Sequence, residues 1–212
     1  MLINLNYLKS KYDLNIKGVI HIGANDGQEI SDYVSDNIRN LLFVEPLPHV
    51  YQNLLNNINP YLDKIDVLSY NIALGNDTKN IDFFVSSNNG MSSSVLKPNI
   101  HLHIHPDVIF TDTINVPMDK LDNLNFDRTK YNFINIDVQG FELEVFKGAS
   151  NTLADIDYIY TEVNSDYVYS DNALIQELDE YLQKHKFIRV ETKWWEDIYP
   201  WGDAFYIKDY ND

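Results

Sequence analysis

The 212-residue chain contains no cysteine, which excludes disulfides and thiolate metal sites and fits a cytoplasmic location. Cations are scarce. Sixteen Lys and Arg face 32 Asp and Glu, for a net charge of −16. Nucleic-acid affinity comes largely from Lys and Arg contacts that release counterions, and no local cluster of basic residues offsets the deficit. No nucleic-acid partner is therefore expected, while neutral or small acceptors stay open. Read by itself, the negative charge serves solubility. No apolar run approaches the length of a membrane span, so no membrane partner is expected. The first fifteen residues lack a basic start followed by an apolar stretch, so no signal peptide is expected. Internal repeats and low-complexity linkers are absent too. The expectation is one domain over 1–212, opening with a helical lead-in at 1–16.

What is present is a rhythm. Apolar runs at Val19–Ile22, Leu41–Val44, Ile65–Ile72, Tyr131–Ile136, Ile156–Val163 and Phe187–Val190 alternate with helical patterns. The helical stretches are Gly27–Asn37, Pro48–Ile58, Gly140–Phe146 and Ala173–His185. Strand then helix, repeated, predicts an α/β fold with a mainly parallel sheet covered on both faces. In the last helix Leu174, Ile175, Leu178 and Leu182 share one stripe, and Asp171 or Asn172 is the expected N-cap. Two stretches break the rhythm. Ile81–Val85 reads as an extra strand, and the Ser- and Asn-rich segment at 86–110 reads as a long functional loop. The C-terminal "FIRVETKWWEDIYPWGDAFYIK" reads as an antiparallel hairpin at the sheet edge.

In open α/β sheets ligands bind at the carboxyl ends of the strands, and polar signals follow the apolar runs there. The first run ends in "GVIHIGANDGQE", residues 18–29, where Gly23 and Gly27 allow a ligand close to the backbone or simply make a tight turn. No GxGxxG occurs. Glu45-Pro46 ends the second run, eighteen residues beyond Gly27. An acid at about that distance accepts hydrogen bonds from ribose hydroxyls; otherwise it is a surface Glu before a Pro. Asp137 ends the buried run Phe133–Ile136, where a carboxylate is costly unless something uses it. Glu162 and Asn164 repeat the theme one strand over, whereas Glu142 and Glu144 read as solvated helix charges. "HLHIHP" puts His101, His103 and His105 on one face of an extended chain, as a solvated face, a metal site or a source of a general base. Trp194, Trp195 and Trp201 suit the floor of an acceptor pocket, hairpin packing, or the contact of a homodimer.

The blocks "VIHIGANDGQE", "LLFVEPLPHVYQNLLNN", "YNIALGN", "NFINIDVQGFELEVFKGA" and "IYTEVN" resemble, in order and spacing, the FkbM family of S-adenosylmethionine-dependent methyltransferases. The likeness runs from about residue 17 to 207. Its most specific part is the Asp137–Glu142 block followed by Lys147-Gly148. The resemblance implies a Rossmann-like class I methyltransferase sandwich: a mainly parallel seven-stranded sheet with an antiparallel edge hairpin and helices on both faces. It implies S-adenosylmethionine as cofactor, which has no diphosphate and so needs no third glycine. On this resemblance Gly23, Ala24, Asn25 and Gly27 line the methionine end, Glu45 holds the ribose hydroxyls, Pro46 beside it joins the cofactor residues, Asn71 and Ala73 lie near the adenine, and Asp137 faces the transferring methyl and the acceptor. His21 stands where the family's first motif commonly has Asp, and joins the cofactor residues as a hydrogen-bonding group. Gln139 stands where many relatives have Glu.

The implied reaction is O-methylation of a sugar, glycan or other small-molecule hydroxyl. Because the sulfonium is already activated, the protein mainly aligns the reactants. The hydroxyl needs a proton sink, with Asp137 the first candidate base and Glu162 or a loop histidine the second. The acceptor side is assigned to His101, His103, Asn164, Trp194 and Trp195. The rivals are a non-catalytic binding module on the same fold, an NAD-linked oxidoreductase that the missing GxGxxG disfavours, and a metal-assisted variant ligating through Asp137, Glu162 and Asn164. No metal is assigned.

Overall fold

A computed structural model describes residues 1–196 and 199–210. In chain order the elements are α1 (Leu5–Tyr12), β1 (Gly18–Ile22), α2 (Ile30–Ser35), β2 (Asn40–Val44), α3 (Pro48–Ile58), β3 (Asp66–Tyr70), β4 (Ala73–Leu74), β5 (Lys79–Ser86), α4 (His101–Ile104), β6 (Phe110–Asp119), β7 (Phe133–Ile136), α5 (Glu142–Lys147), β8 (Tyr158–Asn164), α6 (Ile175–Lys184), β9 (Phe187–Trp194) and β10 (Trp201–Lys208). Apolar runs such as Val19–Ile22 become strands buried on both faces, as a parallel sheet with two covered sides requires.

The main sheet has seven strands in the order β3-β2-β1-β7-β8-β10-β9. β1 pairs in parallel with β2 and β7, β2 with β3, and β7 with β8. β10 alone runs against its neighbours. The expected hairpin therefore exists, but its second strand is slotted between β8 and β9, and β9 forms the edge. Residues 197–198 of the expected turn lie outside the described residues. The chain crosses from β2 and β3 on one side of β1 to β7 on the other, so a crevice opens beyond the carboxyl ends of β1 and β7.

Two apolar layers cover the sheet. One packs α5 and α6 through Val145, Phe146, Leu178 and Leu182. The other packs α1, α2 and α3 through Leu8, Tyr33 and Leu54. The α6 stripe is buried as expected, but its N-cap is Leu174, whose N–H donates to Glu177 at 2.9 Å. Asp171 is left-handed, and the Asn172 side chain is engaged in its own loop, accepting from Tyr169 N at 2.9 Å. Among the described residues no helix is long and apolar enough to cross a membrane.

The 86–110 region departs from expectation. Ile81–Val85 extends into β5, which pairs antiparallel with β6 in a separate three-stranded sheet, β4-β6-β5. The alternation Ile114, Val116, Met118 marked β6, but Pro117 obscured it. "HLHIHP" is not extended. It folds into the single helical turn α4, so its histidines do not share a strand face. His101 packs inward against Phe110 and Tyr169, and His103 is exposed.

Candidate active site

A cavity of about 520 Å³ occupies the crevice at the carboxyl ends of β1, β2, β7 and β8. Its first wall is the loop after β1. Gly23 and Ala24 donate their N–H groups to Val44 O at 2.9 and 3.1 Å, folding the loop over the end of β2. Gly23 has φ +74°, and a Cβ there would lie 1.8 Å from the Asp137 carbonyl. Only glycine lets this loop cross β7 so closely. Ala24 and Asn25 line the cavity; Gly27 does not. Its place is behind the loop, against Ile30 and Leu54, where a positive φ of 80° turns the chain into α2.

Glu45 closes this end. It is 5% exposed. Oε1 accepts from Leu47 N at 2.8 Å and Oε2 from Asn25 N at 3.0 Å. Burial pushes its carboxyl up to about 7 despite those two donors. Pro46 and Ala73 also line the cavity, with Ile72 and Leu74 beside Ala73. Asn71 stands back. Its amide donates to Glu45 O at 2.8 Å and Pro46 O at 3.0 Å, fixing the turn that presents Glu45.

His21 lies in the cavity floor, fully inside the sheet. The Asn135 amide donates to its Nε2 at 3.1 Å, and its Nδ1 is 3.4 Å from the Tyr33 hydroxyl. Burial lowers the imidazole's affinity for a proton, so it is a neutral dipole rather than a charge.

The opposite end is acidic. Asp137 is exposed to the cavity at the tip of β7. Glu162, on β8, is 5% exposed and lines the same wall. Burial, then Asp137 and Glu142, holds the Glu162 carboxyl well above the usual range. The Gln139 amide bridges the two, donating to Asp137 Oδ1 at 2.6 Å and Glu162 Oε2 at 2.5 Å. Glu142 is a correction. It is not a solvated helix charge but is buried, accepting from Val138 N at 3.0 Å and Gly140 N at 3.2 Å, with burial pushing it up to about 7. Glu144 does stay at the surface, bonded to Lys147 at 2.6 Å.

Of the acceptor-side expectations, Trp195 lines the cavity, stacked on Trp201 with centroids 5.3 Å apart. Trp194 instead packs against the core. Asn164 is 1% exposed and sits opposite Trp201, on the β8 face that also carries Glu162. Asn164 does not line the cavity, and among the described residues neither its amide oxygen nor its amide nitrogen has a partner, nor does Trp201 Nε1. None of His101, His103 and His105 lines the cavity; His105 instead packs beside Tyr199 and Trp201. The loop contributes Gly90, Met91, Ser93 and Val95 instead.

Residues that the sequence did not single out also meet here. The Tyr160 hydroxyl and Leu2 N both donate to the Asp203 carboxylate. The usable signal was the period-two series Tyr160, Glu162, Asn164 within a buried strand. Asp203 carried none, since only the β10–β8 register puts it opposite Glu162. Among the described residues no group of three or more His, Asp and Glu is arranged to hold a metal ion.

A doubly covered sheet of this order with one reversed strand defines the class I methyltransferase fold. Magnesium protoporphyrin IX methyltransferase from Synechocystis with bound S-adenosylmethionine superimposes with a TM-score of 0.55 at 8% identity, covering 96% of this chain and 76% of that one. An S-adenosylmethionine-dependent methyltransferase from Clostridium acetobutylicum gives 0.54 at 7% identity, covering 96% and 89%. Residues 21–189 match the methyltransferase FkbM domain, and the chain belongs to that family, whose cofactor is S-adenosylmethionine. It is 29% identical over 160 residues to the 2-O-methyltransferase NoeI of Sinorhizobium fredii, covering 71% of this chain and 65% of NoeI. The matched region thus spans just under two thirds of that relative's length.

Proposed function

We propose that the protein is an O-methyltransferase that moves a methyl group from S-adenosylmethionine to a hydroxyl of a sugar, glycan or other small molecule. The observation that carries this reading is a single cavity with a carboxylate at each end, Glu45 and Asp137, on strands flanking the crossover. The name of NoeI, a 2-O-methyltransferase, supports the choice of oxygen as the methylated atom.

The donor set suits the cofactor. Five acidic side chains line the cavity (Glu29, Glu45, Asp137, Glu162 and Asp203) against one cation among the described lining residues, the Met1 amino group, which favours a cationic ligand and disfavours a diphosphate. Gly23 lets the loop pass against the Asp137 carbonyl, which brings the methionine-end wall and Asp137 to one cavity. His21, Gly23, Ala24 and Asn25 would hold the methionine end, and Pro46 and Ala73 the adenine. Each Glu45 oxygen holds one backbone N–H and keeps a lone pair for a ribose hydroxyl. Asn71 acts on that contact indirectly, through the turn it ties.

When bound, S-adenosylmethionine supplies a methyl group already activated by its sulfonium. The chain's part is alignment and proton removal. Asp137 is the base. Its Oδ1 accepts from Gln139, and the exposed carboxylate faces the cavity from which the acceptor's proton comes. Burial, then Asp137 and Glu142, raises the Glu162 carboxyl, so it supports Asp137 instead of competing with it. Trp195 and Trp201 offer an indole surface on which a sugar ring stacks. Trp201, which lines the cavity, carries an indole N–H with an unmet hydrogen bond for one of its hydroxyls.

The test is calorimetric titration with S-adenosylhomocysteine, with NAD as control, followed by transfer of labelled methyl from S-adenosylmethionine to a panel of glycosides. Homocysteine-product binding without NAD binding is expected. No binding of S-adenosylhomocysteine would sink the proposal and favour a non-catalytic module.

A further inference from the structure

Gln139 has a left-handed backbone, φ 55°, followed by Gly140 at 95°. A residue with a Cβ adopts this conformation only where its surroundings impose it. They do so here from several directions. The Ser94 hydroxyl donates to Gln139 O at 2.8 Å. The buried Glu142 carboxylate holds the N–H groups of Val138 and Gly140, one on each side. The Tyr169 hydroxyl donates to Gln139 Oε1 at 2.7 Å. What this gains is the placement of one amide nitrogen, 2.6 Å from Asp137 Oδ1 and 2.5 Å from Glu162 Oε2. One amide proton serves each carboxyl group, and every polar atom of the side chain is used.

The chemistry of an amide at this point is specific. Two facing carboxylates in a poorly solvated place resist double ionisation. A Lys or Arg between them would hold both ionised. A carboxyl would need a proton of its own to bridge. A neutral amide donates to both without adding charge, so the pair is left with one proton. The surroundings say which oxygen keeps it. Glu162 is 5% exposed with Glu142 of α5 and Asp203 of β10 nearby, whereas Asp137 faces the cavity. Tyr169 and the buried His21 of β1 carry no positive charge, and the Met1 ammonium that lines the same cavity acts on Asp203 and pairs with Glu29 at 3.8 Å.

We propose that Gln139 is a positioning residue for methyl transfer: it ties Glu162 to Asp137 so that the pair holds one proton, on Glu162, and the Asp137 carboxylate faces the acceptor hydroxyl. The reaction named here rests on the methyltransferase reading above; the division of the proton does not. The acceptor's proton passes to Asp137 and leaves from there to solvent. The Glu162 proton is not consumed, so the pair returns to its starting charge each turnover.

The experiment is a carboxyl-carbon NMR titration between pH 4 and 9 on protein labelled at Asp and Glu, with resonances assigned through Asp137→Asn and Glu162→Gln. Wild type should show Asp137 titrating well below Glu162. In Gln139→Met, which keeps the length and loses the donor, the Asp137 midpoint should rise by about one on the pH scale, a roughly tenfold change in proton affinity. The acidic limb of the activity profile should move up with it: kcat falls at low pH, recovers at high pH, and the KM for the cofactor stays within twofold. Tyr169→Phe, which removes the anchor on Gln139 Oε1 together with the Tyr169 bond to Ser92 O and leaves both carboxyls and the Gln139 amide in place, should give a smaller shift in the same direction and covers the case in which Gln139→Met fails to fold. An Asp137 midpoint unmoved in both variants overturns the proposal, as does Glu162 titrating below Asp137. Failure of the wild type to bind S-adenosylhomocysteine refutes the methyltransferase reading instead, and the midpoints still decide the clamp.

Discussion

The two ends of the cavity are both built on a carboxylate at the tip of a parallel strand, yet they are wired differently. Glu45 is held by main-chain N–H groups, from Asn25 and Leu47. Asp137 is held by a side chain, and through it by a second carboxyl, Glu162. Backbone donors belong to the fold and move little, so Glu45 presents a fixed acceptor. A side-chain network can share and release a proton, so the Asp137 end suits chemistry. Binding at one end and proton transfer at the other are separable in principle, and substitutions should separate them.

The largest effect is expected at the chemical end. Asp137→Asn keeps the shape and removes the base, so kcat should fall by about 10²–10⁴. Affinity for S-adenosylhomocysteine, read by calorimetry, should stay within about threefold if base and binding roles are distinct. Equal losses in both would merge the two ends. Next comes Glu45→Ala, which should weaken S-adenosylhomocysteine about 10–100-fold, the scale of a hydrogen bond to a charged acceptor, with kcat nearly unchanged.

Acidity sharpens the contrast further. Burial raises Glu45 from 4.5 to about 7, so the folded state binds a proton that the unfolded state has already released between those values. The contribution of Glu45 to stability is therefore full below pH 4.5 and is lost as pH climbs to 7, by roughly 3 kcal/mol across the window. Glu45→Gln should abolish that slope in denaturant melts run at several pH values. Product affinity should run the other way, rising through pH 7 as Glu45 ionises, and a flat profile would show that the ribose contact needs no charge.

Smaller effects are expected outside the two carboxylate ends. Trp195→Ala removes half of the indole stack and should raise the acceptor KM about 2–10-fold, with cofactor binding unaffected. His103→Ala, exposed and outside the cavity, should change turnover by less than about twofold, within the small range of surface substitutions. A larger loss would bring the α4 turn into the site.

Much of the frame was legible because its signals are local. The buried runs of β1, β2, β7 and β8 are continuous apolar stretches, and the α6 stripe repeats at helical spacing. Glu45 and Asp137 were readable because each follows such a run directly. Misreadings came where a local pattern had two physical solutions. Histidines at 101, 103 and 105 suit a strand face, but the turn at 101–104 buries His101 against Phe110 and Tyr169 instead. Glu142 looked like any first-turn helix acid, and only the left-handed bend at 139–140 brings two backbone N–H groups to it.

By itself, then, the order of residues determined the alternation of strands and helices, the absence of basic and thiolate chemistry, and the strand-end carboxylates. Periodicity, turn chemistry and composition act within a few residues of each position, so they survive in a linear reading. Only the tertiary structure decided that Gln139 joins Asp137 to Glu162, that Tyr169 braces Gln139, and that Asp203 and Trp201 face the β8 residues. Those contacts depend on β10 slotting between β8 and β9 and on the loop at 86–110 folding behind the site. Both are set by long-range pairing whose free energy is spread over whole sheets, and no short stretch of the chain records it.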